Sequence, residues 1–422
     1  MNKIEQVIYD LVKSKPWLKL MIRDAYQGIF DLLPKKKEFS VNPIVFKENY
    51  FFGFHDLIPF SLDNSKILVN ELKFDLKMPF TDDEINVGYL DFDGTQLGTF
   101  HTVGKTRSWN YHKGCRSQWI NDKEIIFNRP DKNDNLKSQI VNVITHKTRE
   151  IGFPIDSISY DGKWASSFSY ERLQEYMPGY GYAFKDDYSF IDESAPDNTG
   201  FYLIDVNSNS RKLLVSLKEL ANLSRDEELS AEANHYVTHS EFSPDGKYVS
   251  FFHRWVGEDT RKRYTQLIIY NLKTETYEVA PTGYMVSHYI WNFKNQIIAY
   301  CNYQGIDSHV LLNVEDYTKS HNVAYPLLNS DGHQSFINNT SFVTDTYPDK
   351  YRMSKLYKVN INTNDRSLLA SVYSPEEFQT KTFLKHIACD LHPRVSKKGD
   401  YVCFDTAKSG KRSIAVMALK NT

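Results

Sequence analysis

Residues 238–253 read THSEFSPDGKYVSFFH: an apolar stretch ending at Phe242, a Ser243-Pro244-Asp245-Gly246 turn, and renewed alternation from Tyr248 to Phe252. Asp-Gly supplies the positive φ that a hairpin turn needs, and Pro presets the residue before it. The pattern predicts strand, hairpin, strand. The same unit recurs along the chain. Its leading positions are His55, Arg116, Ile155, His239, His288, His333 and His392. Each copy has an apolar residue three positions on, then a polar turn (Ser61-Leu-Asp-Asn, Tyr160-Asp-Gly, Lys397-Lys-Gly), then a second apolar run. A further strand follows every copy, over 86–90, 139–144, 201–206, 267–272, 310–314, 356–361 and 413–417.

Seven units with the shorter spacings near the roughly 40–50 residues of a four-stranded blade predict an all-β chain, a seven-bladed β-propeller over residues 38–422. The longest spacing needs an insertion, which holds Tyr170–Pro196 and a helix near Leu217–Leu223. The last copy offers three strands, so a strand near Asn42–Lys47 is expected to supply the fourth and close the ring. A large β-sandwich or two β domains is the other architecture such a pattern allows.

Residues 1–37 differ in texture. Ile4, Val7, Ile8, Leu11 and Val12 fall at roughly helical spacing, interrupted by Lys13, Lys15 and Lys19. No secretory signal or membrane-spanning run is visible. A short N-terminal helical extension is expected. It is either packed on the propeller or, with Trp17, Leu18, Met21, Ile22 and Lys35-Lys36-Lys37, peripheral to a membrane. The expected location is the cytoplasm, with contact at the inner membrane surface through this segment as an option.

Composition narrows the function. A net charge of −2 gives no basic field for nucleic acid. Aromatics at 14% suit strands and sugar-stacking surfaces alike. The four cysteines have no CxxC spacing, which argues against a zinc cluster or a disulfide framework.

The first strand of each blade lines a propeller's channel. Five of the chain's 13 histidines occupy the seven equivalent leading positions. Imidazoles converging from neighbouring blades are good ligands for a divalent metal, Mn, Zn or Ca. His239, His288, His333 and His392 are the expected ligands, with Asp56, Asp345 and Asp390 as partners behind them. The alternative is a wet channel whose histidines bond backbone carbonyls without metal. Two further stretches mix aromatics, cations and polar groups: Thr106–Trp119, with Trp109, His112 and Arg116, and Arg172–Tyr182, with Tyr176, Tyr180 and Tyr182. Functional residues favour loops held by a rigid scaffold; blade-edge packing is the plainer reading of both.

The repeated blades, the histidine-lined channel, and the segments Ser108-Trp-Asn-Tyr-His112…Gly114-Cys-Arg-Ser-Gln-Trp119 and Arg172-Leu…Pro178-Gly-Tyr-Gly-Tyr182 resemble the seven-bladed propeller polysaccharide lyases of oligogalacturonate and ulvan type. The resemblance spans about residues 40–418. It implies β-elimination on uronate glycans and a metal held by channel histidines. It places a catalytic histidine at His112 and a catalytic tyrosine at Tyr180 or Tyr182. Asn128 and Arg129 stand where some members carry a second histidine. Apart from the resemblance, β-elimination needs a base, an acid and a cation for the carboxylate. Arg116, Arg129 and Arg172 are candidates for the cation. Trp109, His55 and Arg254 complete the expected substrate contacts. The expected partner is an acidic poly- or oligosaccharide. A non-lytic glycan-binding or transferase component of cytoplasmic surface-polysaccharide assembly is the alternative, and a protein-interaction propeller a third.

Overall fold

A computed structural model describes residues 27–28, 30–34, 36–74, 76–77, 79–223, 233–257, 263–379 and 387–420. Within it seven antiparallel sheets follow one another along the chain. Blade 1 is Tyr50–Phe51, Lys66–Glu71, Ile85–Phe92 and Leu97–Thr106. Blade 2 is Gln118–Trp119, Glu124–Pro130, Leu136–Asn142 and Thr148–Ile151. Blade 3 is Trp164–Ser167, Gly200–Asp205 and Ser210–Ser216, its inner edge reduced to the single bridge Ile158–Ala165. Blade 4 is Asn234–Phe242, Tyr248–Val256, Arg263–Asn271 and Thr276–Val279. Blade 5 is Val286–Trp291, Gln296–Tyr303, Ile306–Asn313 and His321–Asn322. Blade 6 is Gln334–Asn338, Ser341–Asp345, Met353–Asn360 and Arg366–Tyr373, and blade 7 is Arg394–Val395, Tyr401–Thr406 and Ser413–Ala418. The protein is a seven-bladed β-propeller.

The turn that repeats in the sequence repeats in hydrogen bonds. In blade 4, Ser243 Oγ donates to Asp245 and accepts from the Tyr248 amide, with Gly246 at φ 71°. Ser61 and Asp63 do the same in blade 1, and Ser159 and Asp161 in blade 3. The short serine and aspartate side chains satisfy the turn amides that would otherwise lack partners.

The ring closes as expected. Ile44–Glu48 pairs with Ser413–Ala418 as the outer strand of blade 7. One residue pair more was not foreseen: Phe39–Ser40 adds a fifth strand to blade 6. Apolar faces of adjacent blades pack as clusters between them, such as Phe201, Val249, Phe251 and Ile268. The expected helical extension over residues 1–37 lies mostly outside the described residues. Within them Gln27, Gly28, Phe30 and Asp31 are helical.

Blades are also stitched together around the channel. Arg116 (blade 2) grips Asp56 (blade 1) through two bonds of 2.9 and 2.7 Å and donates to the Asp156 carbonyl (blade 3) at 2.8 Å. Asp156 accepts from Lys113 at 2.6 Å and from the Ser240 amide (blade 4) at 2.9 Å. Asp345 (blade 6) accepts from the His392 amide (blade 7) at 3.0 Å.

Candidate functional site

In a four-stranded meander the loops between the second and third strands, and those leading to the next blade, emerge at one end. His112 (blade 1 to 2), Tyr180 (inside blade 3), Asp331 (blade 5 to 6), Tyr347 (inside blade 6) and Asp390 (blade 6 to 7) therefore share one mouth of the channel. Just inside it lie the leading histidines. Arg116, His239 and His392 hold left-handed backbone, φ 57°, 53° and 44°, although none is glycine. Such φ values are rare and costly in non-glycine residues and concentrate at functional sites.

The histidines are oriented from behind. His55 Nδ1 lies 3.0 Å from the Gln334 carbonyl and His392 Nδ1 3.0 Å from the Gly53 carbonyl. His288 Nδ1 meets Asp331 at 3.1 Å, and His333 Nδ1 meets Asp345 at 2.9 Å. Each of these partners accepts, so Nδ1 carries a proton in all four, and in His55, His333 and His392 Nε2 keeps its lone pair. Burial holds His55, His239, His333 and His392 well below the usual histidine range, so they are neutral. The His333–Asp345 contact is thus a hydrogen bond of a neutral imidazole rather than an ion pair. Asp345 itself is pushed up to about 6 by burial.

The centre of the ring is occupied by a residue the sequence did not flag. Phe54 is buried, with its ring 4.5 Å from His55, 4.7 Å from His239 and 5.1 Å from His392, and 5.9 Å from both His288 and His333. Among the histidines His333 is the hub, its ring 4.0 Å from His288, 4.2 Å from His392 and 5.2 Å from His55. His239 instead meets Phe54, Phe252 and Tyr180. The four ligands expected for one ion therefore do not converge. Among the described residues the group whose ligand atoms all lie within 4.8 Å of one another is His112, Asp390 and His392. Two imidazoles and a carboxylate suit a first-row divalent metal. Only His392 is common to both sets.

His112 stacks on Tyr180 with ring centroids 4.5 Å apart. Tyr180 is raised above the ordinary tyrosine range, chiefly by burial, so it is a neutral phenol. Asp390 is pushed up to about 7 by burial and then by the neighbouring Asp345 carboxylate. Arg254 is buried; its Nε donates to Thr265 and its Nη1 to Met177 Sδ, both at 3.1 Å. No described carboxylate pairs with it, and burial lowers it to about 10. A buried guanidinium without a counter-ion favours an incoming anion.

The other expected site residues do structural work. Arg116 is consumed by Asp56 and Asp156. Arg172 donates to the carbonyls of Ser189, Phe190, Glu193, Ser194 and His235, pinning the blade 3 insertion. Arg129 bonds Gln139 on the neighbouring strand. Trp109 packs in the blade 1 core and donates to the Asp83 carbonyl. Tyr182 is buried against Tyr170. Asn128 bridges Ile155 and Ser138.

No family model matches the chain, and no curated protein matches it. Among solved structures, an oligogalacturonate lyase from Vibrio parahaemolyticus is 12% identical, covering 92% of this chain and 99% of its own, with a TM-score of 0.43. An oligogalacturonate lyase in complex with manganese is 10% identical with the same coverage and a TM-score of 0.40. The WD40 domain of Toxoplasma gondii coronin is 6% identical, covering 92% and 89%, with a TM-score of 0.48. This chain is similar to all three as propellers; likeness at this level does not separate a lyase from a coronin.

Proposed function

We propose that the protein acts on an acidic, uronate-containing glycan at the mouth of its channel, by metal-assisted β-elimination. The observation that carries this reading is the juxtaposition of the stacked His112 and Tyr180 with the buried guanidinium of Arg254, which pairs with no carboxylate among the described residues. Arg254 takes the uronate carboxylate, a geometry that charge-assisted hydrogen bonds favour. Tyr180 donates its phenolic proton to the departing glycosidic oxygen as the C4–O bond breaks and the C4–C5 double bond forms. The C5 proton goes to a neutral imidazole. His112 is the nearer base; where it is taken up as a ligand, His239, 5.9 Å from the Tyr180 ring, is the imidazole left beside that phenol. His112, Asp390 and His392 would hold a divalent metal, which would supply Lewis-acid charge to the substrate carboxylate.

Incubation with a panel of uronate polysaccharides and oligosaccharides, followed at the absorbance of unsaturated uronates, tests the reading. Release of unsaturated product is expected; none across the panel, in protein shown to carry metal, would overturn it. The second reading is a non-lytic glycan-binding or transferase component of surface-polysaccharide assembly. It is favoured by Asn128, which is spent on bridging blades and leaves no second base there. Binding of an acidic oligosaccharide without cleavage, lost in Arg254→Gln, would support it.

A further inference from the structure

The mouth of the channel is electrostatically divided, and Tyr180 lies on the divide. Burial raises its phenol; the Asp390 and Asp331 carboxylates push the same way, while the Arg254 and Arg263 guanidiniums push back. The cations come from neighbouring strands of blade 4, Tyr248–Val256 and Arg263–Asn271. The carboxylates come from the connections into blades 6 and 7. Asp390 belongs to the candidate metal cluster; Asp331 does not. Asp331 accepts from Ser287 Oγ at 2.6 Å, His288 Nδ1 at 3.1 Å and the Gly332 amide at 2.8 Å, and its side chain keeps 24% exposure. No lysine or arginine among the described residues pairs with it.

Tyr347 is the open aromatic on the acidic side. Its side chain is 46% exposed, and its ring stands edge-on to His333 at 5.9 Å. Its hydroxyl nonetheless lies among the walls of the mouth: burial, then Asp331 and Asp390, hold the phenol well above the ordinary tyrosine range. An open ring with an enclosed tip lines a concavity. The loop that presents it is braced. Pro348 confines Tyr347 to extended backbone. Asp349 accepts from the Tyr351 and Met353 amides at 2.9 and 3.1 Å and from Lys355 Nζ at 2.8 Å. Arg352 holds Asp31 through two bonds of 2.7 Å, and the Lys350 ammonium lies 4.8 Å from the Phe30 ring, so the loop's cations are engaged elsewhere.

We propose that the mouth holds an uncharged sugar on Tyr347 beside the uronate on Arg254, so that the substrate is a mixed glycan whose uronate carries a neutral sugar at O4. This rests on the reading of Arg254 as the uronate site. An aromatic face takes the C–H face of a pyranose, and a carboxylate such as Asp331 accepts from its hydroxyls. A second uronate there would set its carboxylate against Asp331, and like charges brought together exclude the wrong partner. When the C4–O bond breaks, the sugar on Tyr347 leaves with that oxygen and the phenolic proton, as a new reducing end. The uronate stays on Arg254 with the new double bond, its C5 proton on an imidazole.

The test is calorimetric binding to the full chain, carrying Tyr180→Phe so that no ligand is cleaved. The probes are hexasaccharides in matched pairs: hyaluronan against β-1,4-glucuronan, and rhamnogalacturonan backbone against oligogalacturonate. In at least one pair the mixed glycan is expected to bind about tenfold tighter or more. Asp331→Asn, which keeps the side chain's shape, should narrow that gap by strengthening the homopolymer. Tyr347→Ala should weaken the mixed glycan about tenfold, and Tyr347→Phe should not. Arg254→Gln should abolish binding of both kinds. Equal or tighter binding of the homopolymer in both pairs, lost in Arg254→Gln, would overturn this proposal and leave the uronate reading standing. A preference for the mixed glycan that survives both Asp331→Asn and Tyr347→Ala would remove those residues from the site and overturn it as well. No binding of any probe by the folded parent would overturn both.

Discussion

The imidazole of His112 lies flat on the phenol of Tyr180, the two planes 8° from parallel, although the residues come from loops of different blades. The stack holds both groups without a hydrogen bond between them being needed, so the phenolic hydroxyl can be removed while the stack stays. Tyr180→Phe is expected to lower turnover on a cleaved glycan by at least ~10²-fold, the low end for a lost proton carrier, with the thermal midpoint within a few degrees of the parent. His112→Ala removes stack and imidazole together and should abolish turnover. Wild-type rates in either variant would take that residue out of the chemistry.

Phe54 is the centrepiece of the histidine ring, and its removal leaves a hole lined by imidazoles. Phe54→Ala should cost about 3–5 kcal/mol in denaturant unfolding, the usual range for a buried phenylalanine. A loss below ~1 kcal/mol would mean that the ring collapses to fill the gap.

Asp56 and Arg116 illustrate a cation that belongs to the scaffold. Breaking a buried pair strands a charge, and Asp56→Ala is expected to destabilise the propeller by roughly 3–5 kcal/mol. Glycan binding by the folded fraction should be unchanged. A variant that folds as well as the parent but loses glycan affinity would return Arg116 to the site.

Asp390 makes a pH prediction with a definite sign. Its folded-state value, about 7, is raised above that of the unfolded chain. The folded protein therefore binds the extra proton, and the stabilisation is complete at acidic pH and lost as pH rises through about 7. The buried histidines contribute the opposite slope, because their folded values are depressed. Comparing metal-free wild type with Asp390→Asn isolates the carboxyl: between pH 5 and 7.5, on the order of the window its shift spans, wild type should lose stability relative to the variant. Parallel melting curves would refute the assignment.

Much of the architecture was legible because the turn chemistry is local. Ser243, Asp245 and Gly246 act within a few residues, and the same is true of Ser61 with Asp63 and of Ser159 with Asp161. The ring of histidines was legible for a related reason: equivalent positions in a repeat must face the same axis. What a repeat cannot reveal is what sits on that axis. Phe54 reads in sequence as one more core aromatic beside His55. Asp390 and His392 are two residues apart, but the third member of their cluster, His112, is brought to them only by closure of the ring. Arg116 and Arg172 were read as free cations because sequence does not show whether a guanidinium faces solvent or a row of carbonyls. Arg254 stands among the expected substrate contacts, and that no carboxylate among the described residues pairs with it is a fact of packing alone.

Asn42 donates to the carbonyl of Ala418, 376 residues away, beside the strand pairing that completes blade 7. During synthesis the outer strand of that blade is made first and its partners last. Residues 39–48 must wait, with unpaired strand edges, until nearly the whole chain has been made. The ring then closes in a late step whose rate the sequence separation limits. Slow closure makes the unclosed propeller the species most exposed to aggregation, and it makes Ile44–Glu48 the place where a small loss of pairing would be felt in yield before it is felt in the folded protein.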